Sequence, residues 1–191
     1  MTTHEAEAEV QDADSAPAAR TRTFSWEDPM IGAAVAPTMS GLDYMHAIVR
    51  GELPPPPIAR MMDFTVETVE EGRVVFAVEP AEYHYNPIGM VHGGLACTLF
   101  DSAMGCAIHT TLPAGAGYTT LEIKVNFLRP LSMKTGRVLC EGKTIHVGRT
   151  TALAEARLLD AAGKLYGHAT TTCMIFRGHA PARAEGQPQD G

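Results

Sequence analysis

The chain is predicted to be an α+β domain in which an antiparallel β-sheet wraps around one long central α-helix. Three observations carry this. A single long apolar segment runs from Gly93 to about Thr110, four strand-like runs follow it across short turns, and a β-hairpin precedes it.

The elements follow in order. Residues 1–35 are rich in Ala, Glu, Asp and Thr without apolar periodicity, the composition of a disordered acidic leader. Ser40 is placed to cap a short helix, GLDYMHAIVRG, with Leu42, Met45 and Val49 on one face and Gly51 ending it. Pro54 to Pro57 predicts an extended, helix-free link. MMDFTVETVEEGRVVFAVEP then reads as a hairpin turning at Glu71-Gly72.

The segment GGLACTLFDSAMGCAIHT breaks the strand pattern. Its apolar residues wrap most of the way round, which predicts a helix buried on nearly all sides. Pro113, Gly115 and Gly117 end it. The strand candidates are YTTLEIKVNFL, GRVLCEGKTIHV, RTTALAEARLL and KLYGHATTTCMIF. In the first, Leu121, Ile123, Val125 and Phe127 alternate with Glu122, Lys124 and Asn126, the period of a half-buried strand. The turns at His146–Arg149 and Asp160–Lys164 suit antiparallel hairpins. Residues 36–177 thus form a single domain, and 178–191 read as a frayed tail. One small sheet around one helix leaves apolar edges, so pairing with a second copy is expected.

Composition narrows the function classes. With 45% hydrophobic residues in 191, the chain can bury a core. The net charge is −7, of which seven acids and two arginines in residues 1–28 supply −5, leaving the domain near neutral. A nucleic-acid binder needs a basic patch, which is lacking. No apolar run is long enough for a membrane span, and the acidic N-terminus is unlike a signal peptide; both point to the cytoplasm. Cys97, Cys106, Cys140 and Cys173 are widely spaced, as buried free thiols would be. His84, His109, His146 and His168 show no ligand spacing, so neither metal nor cofactor is expected. The absence of G-x-S-x-G, Walker A and dinucleotide motifs sets aside α/β-hydrolases, kinases and dehydrogenases.

Candidate chemistry clusters around the long helix. Gly93 and Gly94 at its start leave main-chain N–H groups unshielded at the positive end of the helix dipole, a site suited to a carbonyl oxygen or oxyanion. They also suit tight packing alone. Asp101 is the one acid in the helix; such a residue is either tied into hydrogen bonds, with Thr98 and Ser102 as company, or performs acid–base or nucleophilic work. His92 suits either acid–base chemistry or holding of the loop, and Asn86 either a water or an ordinary turn. Nine helical steps separate His92 from Asp101, roughly 13–14 Å and half a revolution. If both serve one site, that site is shared between two copies.

The run N-P-x-G-x-x-H-G-G-L, with an Asp in F-D-S-A-M-G nine residues after the His, resembles the PaaI-like branch of the hotdog-fold thioesterases over about residues 58–177. The resemblance implies a hotdog fold and an acyl-CoA thioesterase that acts on a medium-chain or aromatic acyl group. Asp101 would be the catalytic carboxylate, as nucleophile or as activator of water. The Gly93 N–H would polarise the thioester carbonyl, and His92 and Asn86 would position loop and water. A hydroxyl early in the following strand would be Thr120, or else Thr119. The resemblance also implies homodimers, commonly paired as homotetramers, with composite sites. Arg149 is the foremost candidate for the CoA phosphates, ahead of Arg129 and Lys143, and Met90 and Met104 are candidates for the acyl tail. The competing reading is a module that binds acyl-CoA without cleaving it; a hotdog hydratase ranks lower.

Overall fold

The computed structural model of the protein describes residues 19–178. A six-stranded, wholly antiparallel sheet has the order β1-β2-β4-β5-β6-β3. Its strands are β1 Phe64–Glu70, β2 Arg73–Val78, β3 Ala116–Phe127, β4 Val138–Val147, β5 Thr151–Asp160 and β6 Leu165–Arg177. The helices α1 Pro29–Val35, α2 Gly41–Val49 and α3 Pro57–Met62 precede the sheet or lie beside β1, and the long helix α4 Gly93–His109 packs into it. This is the hotdog arrangement the sequence predicts.

Helix α4 fills the concave face of the sheet. Leu99, Phe100, Ala103, Met104, Ala107 and Ile108 are all inaccessible to solvent. Removing the Phe100 ring would cost about 3–5 kcal/mol, the usual penalty for a core aromatic. The sheet lies so close that a Cβ on Gly142 of β4 would stand 2.3 Å from the Ala103 carbonyl oxygen. Glycine is therefore required there by contact.

Four features differ from the sequence reading. The first is the leader: residues 1–18 and 179–191 lie outside the described residues, but the second half of the 1–35 segment is structured. Asp28 caps α1 by accepting from Met30 N at 2.9 Å, and Pro29 occupies the first turn, where its missing N–H costs nothing. Arg22 donates to the carbonyls of Met61 and Arg60 and stacks 4.0 Å from the Tyr83 ring centroid, tying the segment to the domain.

The second is the proline link. It is extended only to Pro56, because Pro57 starts α3 by the same first-turn logic. Third, Val49 of α2 is exposed, and the buried residues of that helix are Gly41, Met45 and Ala47.

The fourth concerns β3, where the alternation is interrupted. The register with β6 shifts between Thr120 and Glu122, so Leu121 is a bulge and stands 55% exposed. Tyr118 and Thr120 before the bulge, and Ile123 and Val125 after it, are the less exposed positions. The strand is also an edge of the sheet, twelve residues long, with Leu121 and Phe127 both more than half exposed.

Candidate active site

The turn before α4 is held by local bonds. Asn86 Oδ1 accepts from Ile88 N at 3.1 Å and Met90 N at 3.2 Å, while Asn86 N donates to the Met90 carbonyl at 2.7 Å. Its side chain thus folds the 86–90 loop. Beneath the loop, His84 is buried; its Nδ1 accepts from Ala81 N at 3.0 Å and its Nε2 faces the Met62 carbonyl at 3.0 Å. That pairing puts the proton on Nε2, and burial lowers the imidazole pKa, so the ring is neutral. The His84 carbonyl then receives His92 N at 2.7 Å, which fixes where α4 begins.

His92 is the N-cap of α4. Its exposed ring accepts from Gly94 N through Nδ1 at 2.8 Å, leaving Nε2 as the protonated nitrogen directed away from the helix. This cap distinguishes the two glycines. The Gly94 N–H is used, whereas the Gly93 N–H has no acceptor among the described residues. Phe127 covers Gly93 so closely that a Cβ there would lie 3.2 Å from its ring. A cavity of about 420 Å³ opens beside the turn, lined by Asn86, Met90, His92, Gly93, Phe127 and Arg129 among others.

Asp101 differs from expectation in its burial. It is exposed, on a stripe of α4 with Gly94, Cys97, Thr98 and Ser102 that the sheet does not cover. Thr98 is occupied by the Gly94 carbonyl at 3.0 Å and gives Asp101 nothing. The partner comes from β3, where Thr120 Oγ1 donates to Asp101 Oδ1 at 2.8 Å. The bulge at Leu121 explains this: unbroken alternation would put Thr120 on the outer face with Glu122, and the extra residue returns it to the helix side. Thr119 is exposed opposite Met174, whereas Thr120 pairs with fully buried Cys173 and approaches its Sγ at 3.9 Å.

Apolar and weakly acidic groups surround the carboxylate. Burial raises the Cys106 thiol to about 12, with a further push from Asp101, so this sulfur stays protonated. Burial likewise holds the Tyr118 phenol well above its ordinary value, and the Asp101 carboxylate acts in the same direction. Met104, expected near the acyl tail, is fully buried in the core and lines neither the cavity at Gly93 nor the one beneath α2, while Met90 lines the former. Arg149 lies exposed in the β4–β5 turn, Lys143 is paired with Glu141 at 3.3 Å, and Arg129 lines the smaller cavity and donates to the Leu165 carbonyl. Among the described residues no cluster of three or more His, Cys, Asp or Glu could hold a metal.

Within one chain the Gly93 turn and Asp101 are thus apart. The cavity at Gly93 has neither Asp101 nor Thr120 among its lining residues. An open N–H donor stands at the one place, and a hydroxyl-held carboxylate at the other.

A sequence profile described as the thioesterase superfamily matches residues 88–166. A putative esterase of Saccharolobus solfataricus is 32% identical over 126 residues, 66% of this chain and 88% of that one. The chain belongs to the thioesterase superfamily. A 1,4-dihydroxy-2-naphthoyl-CoA hydrolase of Listeria monocytogenes is 29% identical over 100 residues, covering 52% of this chain and 80% of the relative. The crystal structure of a putative thioesterase from Ralstonia eutropha, described as phenylacetic acid degradation-related, superposes with a TM-score of 0.62 at 28% identity, covering 69% of this chain and 98% of that one. The thioesterase is accordingly a thioester hydrolase with PaaI-like relatives. The profile contains Gly93 and Asp101 and begins well after α1 and α2.

The sequence reading gave no part in the site to His84, Tyr118 or Cys106. His84 sits in E-Y-H-Y-N-P with no spacing signal, and its role appears only when the Met62 carbonyl is brought to it. Among the described residues no helix is long and apolar enough to cross a membrane.

Proposed function

We propose that this thioesterase hydrolyses acyl-CoA, with a medium-chain or aromatic acyl group, in a site shared by two copies of the chain. Asp101 of one copy is the catalytic carboxylate, and the Gly93 N–H of its neighbour polarises the thioester carbonyl. The observation that carries the reading is the Thr120–Asp101 hydrogen bond on the one uncovered stripe of α4. Binding alone has no need of an acid held in this way. CoA as the thiol is supported by the naphthoyl-CoA relative.

In this reading a water lies between Asp101 and the thioester carbon. Asp101 takes its proton as the oxygen attacks, or attacks the carbon itself, in which case water resolves the resulting anhydride. Charge developing on the carbonyl oxygen meets the Gly93 N–H and the N-terminal dipole of α4. Collapse expels the CoA thiolate, which receives the proton. His92 and Asn86 hold the donor in place, and Arg129, on the lining of the same cavity, meets the CoA phosphates, whereas Arg149 lies at the other end of the β5–β6 pair from that cavity.

Pairing is supported by the exposed twelve-residue edge strand β3, whose Phe127 packs on Gly93 and whose Thr120 holds Asp101. A dimer through this edge would bring both half-sites to one seam, and pairs of dimers would give a tetramer. The four free cysteines suit a reducing, cytoplasmic location.

The test has two parts. A free-thiol release screen across acyl-CoAs should find turnover that Asp101→Asn removes. Co-expressed Asp101→Asn and His92→Ala chains should then regain activity as mixed oligomers, because one seam in each keeps both wild-type halves. Mixed oligomers as inactive as their parents would refute the shared site.

A further inference from the structure

The larger cavity of the molecule lies on the Asp101 side and is built largely by residues that precede the family-matched region. It is a partly open cavity of about 860 Å³ between α4, β3, the β1–β2 side of the sheet with α3, and a roof formed by residues 27–56. Protein interiors are close-packed, and a void of this size falls in the range of ligand pockets, about 300–1,000 Å³. Its floor begins with Ser102, the residue after Asp101, and continues through Cys106 and Tyr118. Neither Asp101 nor Thr120 lines the cavity, but Ser102 follows Asp101 on α4 and Tyr118 lies two residues from Thr120 on the same face of β3, so the floor runs up to their immediate neighbours. The Tyr44, His109 and Tyr118 rings form one wall, with centroids 5.5 and 5.6 Å apart in succession. Met45, Ile48 and Leu53 continue the apolar surface.

The roof is fixed in place. Gly41 N donates to the Leu112 carbonyl at 3.0 Å, and a Cβ on Gly41 would stand only 1.8 Å from the His109 carbonyl oxygen, so α2 rests directly on the end of α4. Gly115 N donates to the Pro37 carbonyl at 2.9 Å. The exposed residues Glu27, Glu52 and Arg60 give the rim charge.

We propose that this cavity is the acyl compartment of the enzyme and that the roof of residues 27–56 selects straight aliphatic acyl chains by length. The inference rests on the hydrolase reading above and deepens it. A single aromatic ring would leave most of such a volume unfilled, whereas an extended chain threads from Ser102 towards Ile48. Each added methylene gains burial, about a fourfold preference per carbon, until the terminal methyl reaches the charged rim. Preference then stops rising. Chain length is thus read by α1, α2 and the proline link, while the chemistry is done by the matched domain.

The experiment uses the full chain and two filling variants from separate roof segments, Ala36→Phe and Val49→Trp, both at positions that are not fully buried. kcat/KM is measured for hexanoyl-, octanoyl-, decanoyl- and dodecanoyl-CoA, with thermal melts to show that the variants fold. The unaltered enzyme should favour longer chains up to a limit. Each variant should lower the dodecanoyl-to-hexanoyl ratio by at least tenfold, the loss of about two buried methylenes. A ratio that stays within twofold in the folded variants overturns the proposal. Binding of hexanoate and dodecanoate to the unaltered protein, followed by calorimetry, keeps the test open should both variants misfold: affinity should climb severalfold per methylene, and a flat series overturns the assignment. Dodecanoate binding that the variants weaken, in a protein that cleaves no acyl-CoA, would leave the compartment standing and sink the hydrolase reading instead.

Discussion

The two halves of the proposed site on α4 are built in opposite ways. The glycine turn is folded mainly by its own neighbourhood: Asn86 folds the loop and His92 caps the helix through bonds that span two to four residues, with His84 behind them tied to the Met62 carbonyl. The carboxylate end is assembled from afar, because Asp101 takes its hydrogen bond from a strand residue nineteen positions on, turned inward by a bulge. A local device places a main-chain donor that needs no side chain of its own. A long-range device aims a side chain that would otherwise rotate freely in solvent. Donor position is thus insured mainly by sequence-local geometry, and carboxylate position by the integrity of the sheet.

The contrast predicts unequal sensitivity to substitution. The largest effect should come from Asp101→Asn, which keeps shape and hydrogen bonding but removes the basic oxygen. kcat should fall by about 10³-fold, within the span of general acid–base contributions, with an unchanged melting temperature. Loss of activity together with loss of fold would remove Asp101 from the chemistry. Next is Thr120→Val, which preserves the β-branched shape and deletes only the donor. A hydrogen bond to a charged group is worth about 1.5–3 kcal/mol, so kcat should drop about tenfold to a hundredfold with little change in KM. Thr119→Val, on the outer face, should do neither. Equal effects at the two threonines would break the bulge argument.

How much of this was legible in the chain follows the same division. The glycine turn could be read directly, since Asn86, His92 and Gly93 act within one short window, although the cap that sets Gly93 apart from Gly94 required coordinates. The long helix, the hairpin and the four later strands were legible from periodicity. Asp101 was visible, but its exposure was not: a helix apolar nearly all round looked wholly buried, although Thr98, Asp101 and Ser102 at helical spacing mark a short polar stripe. Thr120 came from the family resemblance, because strict alternation places it on the wrong face and no pattern announces a bulge. Helix α1 escaped because residues 1–35 have the composition of a disordered leader, and α3 because Pro57 was read with the extended link, when Pro29 and Pro57 stand at first-turn positions. That the leader and the helix near residues 40–50 extend the acyl pocket could be expected from their place before the family region, but the cavity's walls could not. The cavity exists only where residues 27–56 close over Ser102 and Tyr118.

A smaller effect is expected at the local half-site. Asn86→Ala removes an acceptor shared by Ile88 N and Met90 N, bonds worth about 0.5–1.5 kcal/mol each when neutral. The loop should loosen without the domain unfolding. Amide exchange at residues 88–90 should speed up by about tenfold, and KM should rise more than kcat falls. Unaltered exchange would show that the turn is held by His84 and His92 alone.

The smallest predicted effect separates the two halves by pH. Burial lowers the His84 pKa from 6.5, outweighing the Met62 carbonyl and nearby Asp63, which favour the proton, and Arg22 works in the same direction as burial. A histidine depressed in the folded state contributes stability that is fully present above its unfolded pKa and is lost as pH falls from there towards the folded value. His109, lowered by burial alone, adds to the same window. Protonation of His84 also sets a new N–H at Nδ1 against the Ala81 N–H it now accepts, and the strain passes through its carbonyl to His92 N. Denaturant midpoints should therefore be level from pH 8 to about 6.5 and decline below, with residues 84–94 the first to lose amide protection. His84→Gln, which can accept from Ala81 and donate to Met62 without titrating, should flatten part of that decline and leave the part due to His109. Loss of protection at Thr120 before His92 would show that the long-range half, and not the turn, is the weaker one in acid.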